Sequence, residues 1–144
     1  MERPDSDPDA WLRRYTPQQW LHAAIHEHRQ AKDAYARKNG RAGLAGCRRA
    51  AGVALNGVLA TMTRPDPRYG RSYMDHLGGL AGDASAPQAV RDAAALLLST
   101  PLPGGTLVSL RTSSSDAKAL DAAETVMAHA YACVLRASPT ESGA

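Results

Sequence analysis

CRRAAGVALNGVLATM (residues 47–62), TRPDPRYG (63–70) and RSYMDHLGGL (71–80) form the stretch that decides the fold. Its first part sets Cys47, Ala51, Leu55, Val58, Leu59 and Met62 at three- and four-residue steps, the period of a helix with one buried stripe. Arg64-Pro65-Asp66-Pro67 cannot continue that helix, since each proline lacks an amide donor and disfavours the α region before it. The break closes at Tyr69-Gly70. A short helix follows, with Tyr73, Leu77 and Leu80 on one side and Gly82 at its end. A long small-residue helix, a proline-broken turn and a short Leu/His helix make a topological fingerprint, and they name no reaction.

Working outward, the small-residue helix is expected from about Ala42 to Met62, with Leu44 joining its stripe. Gly43, Gly46, Gly52 and Gly57 lie inside it, each costing about 1 kcal/mol relative to alanine. Close backbone contact with a neighbouring helix would offset four such costs. Upstream, Thr16-Pro17-Gln18-Gln19 combines an N-cap, a first-turn proline and a capping-box glutamine, so a long helix begins at Pro17. Its stripe is Leu21, Ala24, Ile25, His28, Ala31 and Tyr35, and Asn39-Gly40 stops it. Before it, Asp7-Pro8 opens a short turn through Trp11 to Tyr15; Trp11 and Trp20 are expected to clamp this segment onto the bundle. Downstream, Pro87 opens a fourth helix with Val90, Ala93, Ala94, Leu97 and Leu98 inward. Pro101 to Ser115 reads as the longest loop, anchored at Leu107, Val108 and Leu110. A last helix from about Asp116 to Arg136 points Leu120, Ala123, Met127, Tyr131 and Val134 inward. The expectation is an all-α bundle of four main helices plus a short inserted one: an N-terminal arm over 1–16, one domain over 17–136 and a disordered tail over 137–144.

Composition bounds the rest. A chain of 144 residues is about one domain long. Its apolar 44% is largely alanine, with no Phe and 5% aromatics, so its core buries little area per side chain. Charge is uneven: ten Lys/Arg against six Asp/Glu up to Arg49, then seven against eight. A basic first third can attract RNA or a nucleotide. Cys47 and Cys133 fall in helical patterns and read as small core residues of a reducing compartment. No apolar run of 18 residues exists, and the start, MERPDSDPD, lacks a signal-peptide pattern, so a cytoplasmic protein without membrane contact is expected.

The order of helices, with the run Cys47 to Asn56 and the segment Tyr69 to Leu77, resembles the HEPN superfamily (higher eukaryotes and prokaryotes nucleotide-binding) over roughly Pro17 to Arg136. That resemblance implies a small helical bundle, in most instances bacterial or archaeal. It implies one of three roles: a metal-independent ribonuclease of toxin or defence type, an inactive relative paired with a small nucleotidyltransferase, or a dimeric binding module. Ribonucleases of the family place an Arg four to six residues before a His near the start of the last long helix. This chain departs there, with Glu124 preceding His129. Its Arg-x4-His spacing is Arg71 to His76, on the short third helix.

Arg71 and His76 are nonetheless the candidate catalytic pair, because imidazole can take the 2′-hydroxyl proton while guanidinium holds the phosphate. Five helical steps turn roughly 500°, which leaves the two side chains about 140° apart unless Arg71 lies outside the helix. The structural alternative is an Arg near the cap and a His packed against the bundle. Arg37, Lys38, Arg41, Arg48 and Arg49 are the candidate nucleic-acid or nucleotide contacts. The helix dipole explains Arg37 and Lys38 without a ligand; Arg48 and Arg49 call for acidic partners, with Asp75, Asp92 and Asp121 as candidates. His22 and His26 stand four apart, a spacing that can hold a metal, but no second pair matches them and Arg29 opposes a cation. No cofactor is implied. His28, on the buried stripe, is expected to bond a backbone or side-chain group. The leading expectation is a non-catalytic dimeric interaction or regulatory module, joined through its Gly/Ala helices, with a nucleotidyltransferase-like or other protein partner, or RNA. A divergent ribonuclease using Arg71 and His76 is the alternative, and a metal-binding bundle a further one.

Overall fold

The computed structural model describes residues 7–101 and 113–137, and the fold is all-helical. Five α-helices follow one another: α1 (Pro17–Ala36), α2 (Gly40–Ala60), α3 (Tyr73–Ala81), α4 (Gln88–Ser99) and α5 (Ser113–Ala137), with short 3₁₀ helices at Ala10–Arg14 and Pro67–Tyr69. No strand occurs among the described residues. Leu107, Val108 and Leu110 lie outside them. Ala137 closes α5, and the rest of the expected tail is also outside.

The caps read from the sequence set the helix starts. Thr16 accepts from the Gln19 amide while the Gln19 side chain accepts from the Thr16 amide, the reciprocal capping box expected at Pro17. Asn39 accepts from the Ala42 amide and so starts α2 at Gly40, two residues before the expected point. Thr61 ends it, its hydroxyl turned back on the Val58 carbonyl, so Met62 lies just past the helix.

α2 runs through the middle of the bundle and is buried on most faces, not along one stripe: Ala50, Gly52, Val53, Ala54 and Asn56 are enclosed along with Cys47, Ala51 and Leu55. Its glycines admit neighbours. A Cβ on Gly46 would lie 2.9 Å from Ala31 Cβ, one on Gly57 would lie 3.0 Å from the Pro17 carbonyl oxygen, and one on Gly52 would run into the Tyr73 ring. The close contact expected of these glycines is therefore made, inside the chain against α1 and α3. That seam is not free to join a second copy.

One core links α2, α3, α4 and α5 around Leu44, Leu55, Leu77, Leu80, Leu97 and Val126; a second joins α1, α2 and α5 around Trp20, Ala24, Val53, Ala130 and Val134. Leu12 of the N-terminal 3₁₀ helix is 2% exposed and belongs to the first core, so the arm is part of the bundle. Two expected stripes are corrected. Ile25 is 44% exposed and Tyr131 56%. On α5 it is Ala119, Ala123, Val126 and Ala130 that face inward, because only small side chains let α5 approach the already crowded α2; the bulkier Leu120 and Met127 are half-buried at the flanks.

Candidate functional site

Two capping boxes position one cleft. The first launches α1 and sets Trp20 within its first turn, where the indole N–H donates to the Leu12 carbonyl at 2.9 Å. Tyr15 meets Trp20 edge-on at 4.8 Å, and Trp11 does so at 6.4 Å. The expected tryptophan clamp is thus formed, and it fixes the short 3₁₀ helix that carries Arg14. The second box launches α3: Ser72 accepts from the Asp75 amide, and the Asp75 carboxylate accepts from the Ser72 and Arg71 amides. These bonds hold the Asp75 carboxyl below its ordinary pKa, the Ser72 amide contributing most. They also hold Arg71 just outside the helix.

Between these elements lies a cleft of about 380 Å³ lined by Trp11, Arg14, Trp20, Asn56, Arg71, Ser72 and Tyr73. No carboxylate is among its lining residues. Among the described residues Arg14 has no ion-pair or hydrogen-bond partner and the Arg71 guanidinium donates only to the Pro8 backbone carbonyl. Trp11 Nε1 is buried in the wall without a partner, the one such side-chain atom among the described residues. An unpaired buried donor of this kind costs about 1–3 kcal/mol until something accepts from it.

Beneath the cleft sits His76, fully buried. Its Nδ1 is 2.5 Å from the Tyr69 carbonyl oxygen, its Nε2 is 2.7 Å from Asn56 Oδ1, and Trp11 lies parallel to its ring at 6.5 Å. A carbonyl only accepts, so Nδ1 carries a proton and donates. Burial pushes the imidazole pKa below its ordinary 6.5, against smaller upward pulls from the Tyr69 bond and the Asp75 charge. The ring is neutral at pH 7 with both nitrogens engaged.

Arg71 and His76 therefore share a neighbourhood without forming a catalytic pair. Arg71 stands on the rim beside the cap; His76 has no nitrogen open to a substrate. The other expected contacts disperse. Arg37 and Lys38 are exposed at the α1–α2 turn with Arg41 nearby, seventeen residues along α1 from Trp20, or about 25 Å of helix. Arg48 binds none of the expected carboxylates. It caps α4, donating to the carbonyls of Leu97 at 2.8 Å and Thr100 at 2.9 Å, because a helix C-terminus presents unpaired acceptors. Arg49 does find a carboxylate, Glu27 at 3.2 Å, instead of Asp75, Asp92 or Asp121. His22 and His26 are exposed, His26 against Gln30 at 3.1 Å, and no group of three metal-ligating side chains occurs among the described residues. His28 is buried as expected, its Nε2 donating to the Leu120 carbonyl at 3.1 Å.

The sequence reading missed Arg14 and Asn56. Asn56 carried a signal: it is the single polar side chain between Arg49 and Thr61, a buried amide that must have a partner. Arg14 carried none, since its placement depends on the Trp20 to Leu12 bond. A second polar cluster lies on α5, where Cys133 Sγ is 3.5 Å from His129 Nε2 and accepts from Arg136 at 3.3 Å. Burial raises that thiol and lowers that imidazole, so both are neutral and no thiolate stands ready.

Comparison of the chain with protein-family models, with curated proteins and with solved structures finds no match.

Proposed function

We propose that this chain is a non-catalytic HEPN-like binding module whose Trp11/Arg14/Arg71 cleft takes a nucleotide, and that it works as a homodimer in the cytoplasm. The observation that carries the reading is the cleft itself: aromatic walls, two arginines without carboxylate partners among the described residues, and a buried His76 with no free nitrogen below them. Indole and phenol faces favour a flat ring, and guanidinium groups favour a phosphate, which each can grip with paired N–H bonds. Nothing on the lining is a general base or an activated nucleophile, so binding and not turnover is what the site supports.

The homodimer is supported by exposed apolar side chains on α1 and α5. Ile25, Tyr131 and Leu135 are 44%, 56% and 54% exposed. Ile25 and Tyr131 border a shallow apolar groove of about 200 Å³. No helix among the described residues is long and apolar enough to cross a membrane.

Both tryptophans of the chain lie in the cleft, so intrinsic fluorescence reads it directly. Titration with AMP, CMP, GMP and UMP is expected to give saturable changes with at least one of them. Arg14→Glu and Arg71→Glu should each weaken that binding about tenfold or more, the loss of a charge-assisted phosphate contact. Labelled single-stranded RNA should stay intact with the purified protein in the absence of metal. Cleavage that disappears in His76→Ala would replace this reading with the ribonuclease.

A further inference from the structure

We propose that Asn56 determines which base the cleft accepts: its side-chain carbonyl oxygen faces the ligand and selects an exocyclic amino group, as adenine, cytosine and guanine carry on their pairing edges and uracil does not. This rests on the reading of the cleft as a nucleotide site. The argument runs through the hydrogen bonds of His76. With Nδ1 donating to the Tyr69 carbonyl, Nε2 has two options: it donates as part of an imidazolium, or it accepts as part of a neutral ring. An imidazolium there would be a fully buried charge. The elements packed on it supply the Trp11 ring, the Asn56 amide and a backbone carbonyl, and no carboxylate bonds to it. Asp75, the nearby acid, spends its oxygen on the amides that cap α3. A buried charge without a bonded counter-ion is the costlier state. Nε2 therefore accepts, and the only group there to donate is the Asn56 side-chain N–H. The two ends of an amide have the same shape, so bonding alone decides which is oxygen.

The structure places Oδ1 beside Nε2 at 2.7 Å; this assignment exchanges the two ends of the amide and turns the Asn56 oxygen to the other side. The far end of the amide has no partner among the described residues, yet it is not one of their enclosed, unbonded atoms. It is reached from the cleft that Asn56 lines. The rim thus offers donors for a phosphate, and the floor offers an acceptor. Asn56 is 2% exposed, so a group must project from the ring to reach it. An exocyclic amine projects. The ring N–H of uracil is flanked by two carbonyl oxygens, which would face the Asn56 oxygen and repel it.

Two measurements on the wild-type chain test this. Nitrogen-15 NMR at pH 7 should find His76 as the neutral tautomer protonated at Nδ1 alone; a proton on Nε2 overturns the assignment of the amide. Fluorescence titration should find AMP, CMP or GMP binding, and its des-amino analogue (purine riboside, zebularine or inosine 5′-monophosphate, respectively) binding at least about fivefold more weakly, the scale of one lost hydrogen bond. Equal affinity for the analogue, or binding confined to UMP, overturns the role of Asn56 and leaves the nucleotide site standing. Silence with all four nucleotides overturns both.

Discussion

His76 ties a single proton to the stability of the whole chain. Burial lowers its pKa from the ordinary 6.5, so as pH falls the unfolded chain takes up the proton first. The stability it contributes is complete above pH 6.5 and is lost as pH drops from there through the folded value, with a slope of at most about 1.4 kcal/mol per pH unit for one group. His129 shifts the same way and adds to the slope. Urea unfolding should give a constant midpoint between pH 7 and 8 and a falling one between about pH 6.5 and 5. A His76→Gln chain should be less stable throughout and show a shallower fall. A midpoint that rises on acidification would contradict the neutral, buried ring. At this scale the sequence was legible only in part. The structural alternative for Arg71 and His76, an Arg by the cap and a His in the packing, is what the geometry gives. The partners of His76 were not readable, because the Asn56 amide and the Tyr69 carbonyl reach it from two other elements.

The elements were legible wherever a local chemical rule set them. Thr16 and Gln19, Pro87, and Asn39 with Gly40 each act within four residues, so they fix helix limits without knowledge of the fold. The inward faces of α1 and α5 were less so. Ile25 and Tyr131 follow the apolar period but stand exposed, since α2 admits small neighbours along these seams and the period cannot see its partner's shape. The glycines of α2 were readable as a group, and Gly46 is the sharpest of them. With Ala31 Cβ 2.9 Å and Ala31 Cα 3.2 Å from a would-be Cβ, a larger side chain must push α1 away. Gly46→Leu should destabilise the chain by about 1–3 kcal/mol, the usual cost of overpacking, measured by urea denaturation with far-UV circular dichroism. An unchanged midpoint would mean that α1 and α2 can part at no cost. Gly70 is different in kind: its φ of +56° is a backbone state that side chains disfavour, and it lets the chain turn from Tyr69 into the cap of α3.

At the scale of the molecule, a core built from alanine and glycine has little area to bury per residue, and it compensates by bringing backbones close. The cost is that α2 has almost no outer face left. In the proposed homodimer a second copy docks elsewhere, and the exposed Ile25, Tyr131 and Leu135 offer an apolar contact on α1 and α5. Sedimentation equilibrium at micromolar concentration should return twice the mass of the chain, and Tyr131→Glu should return the single mass. A wild-type monomer would remove the homodimer from the proposed function. The all-helical class was legible at this scale from periodicity and breakers together. The cleft was not, because it is assembled from four segments whose meeting is a property of the fold.

One of those segments precedes the first long helix. Trp11 and Arg14 supply a wall and a rim of the cleft, while Arg13 and Arg14 stand exposed a few residues from the start of α1. A protease that cuts after basic residues could sever the chain there, and the severed piece would carry off one side of the cleft. If the cleft takes a nucleotide as proposed, trimming at this leading edge would remove the Trp11 wall and Arg14 and weaken that capture.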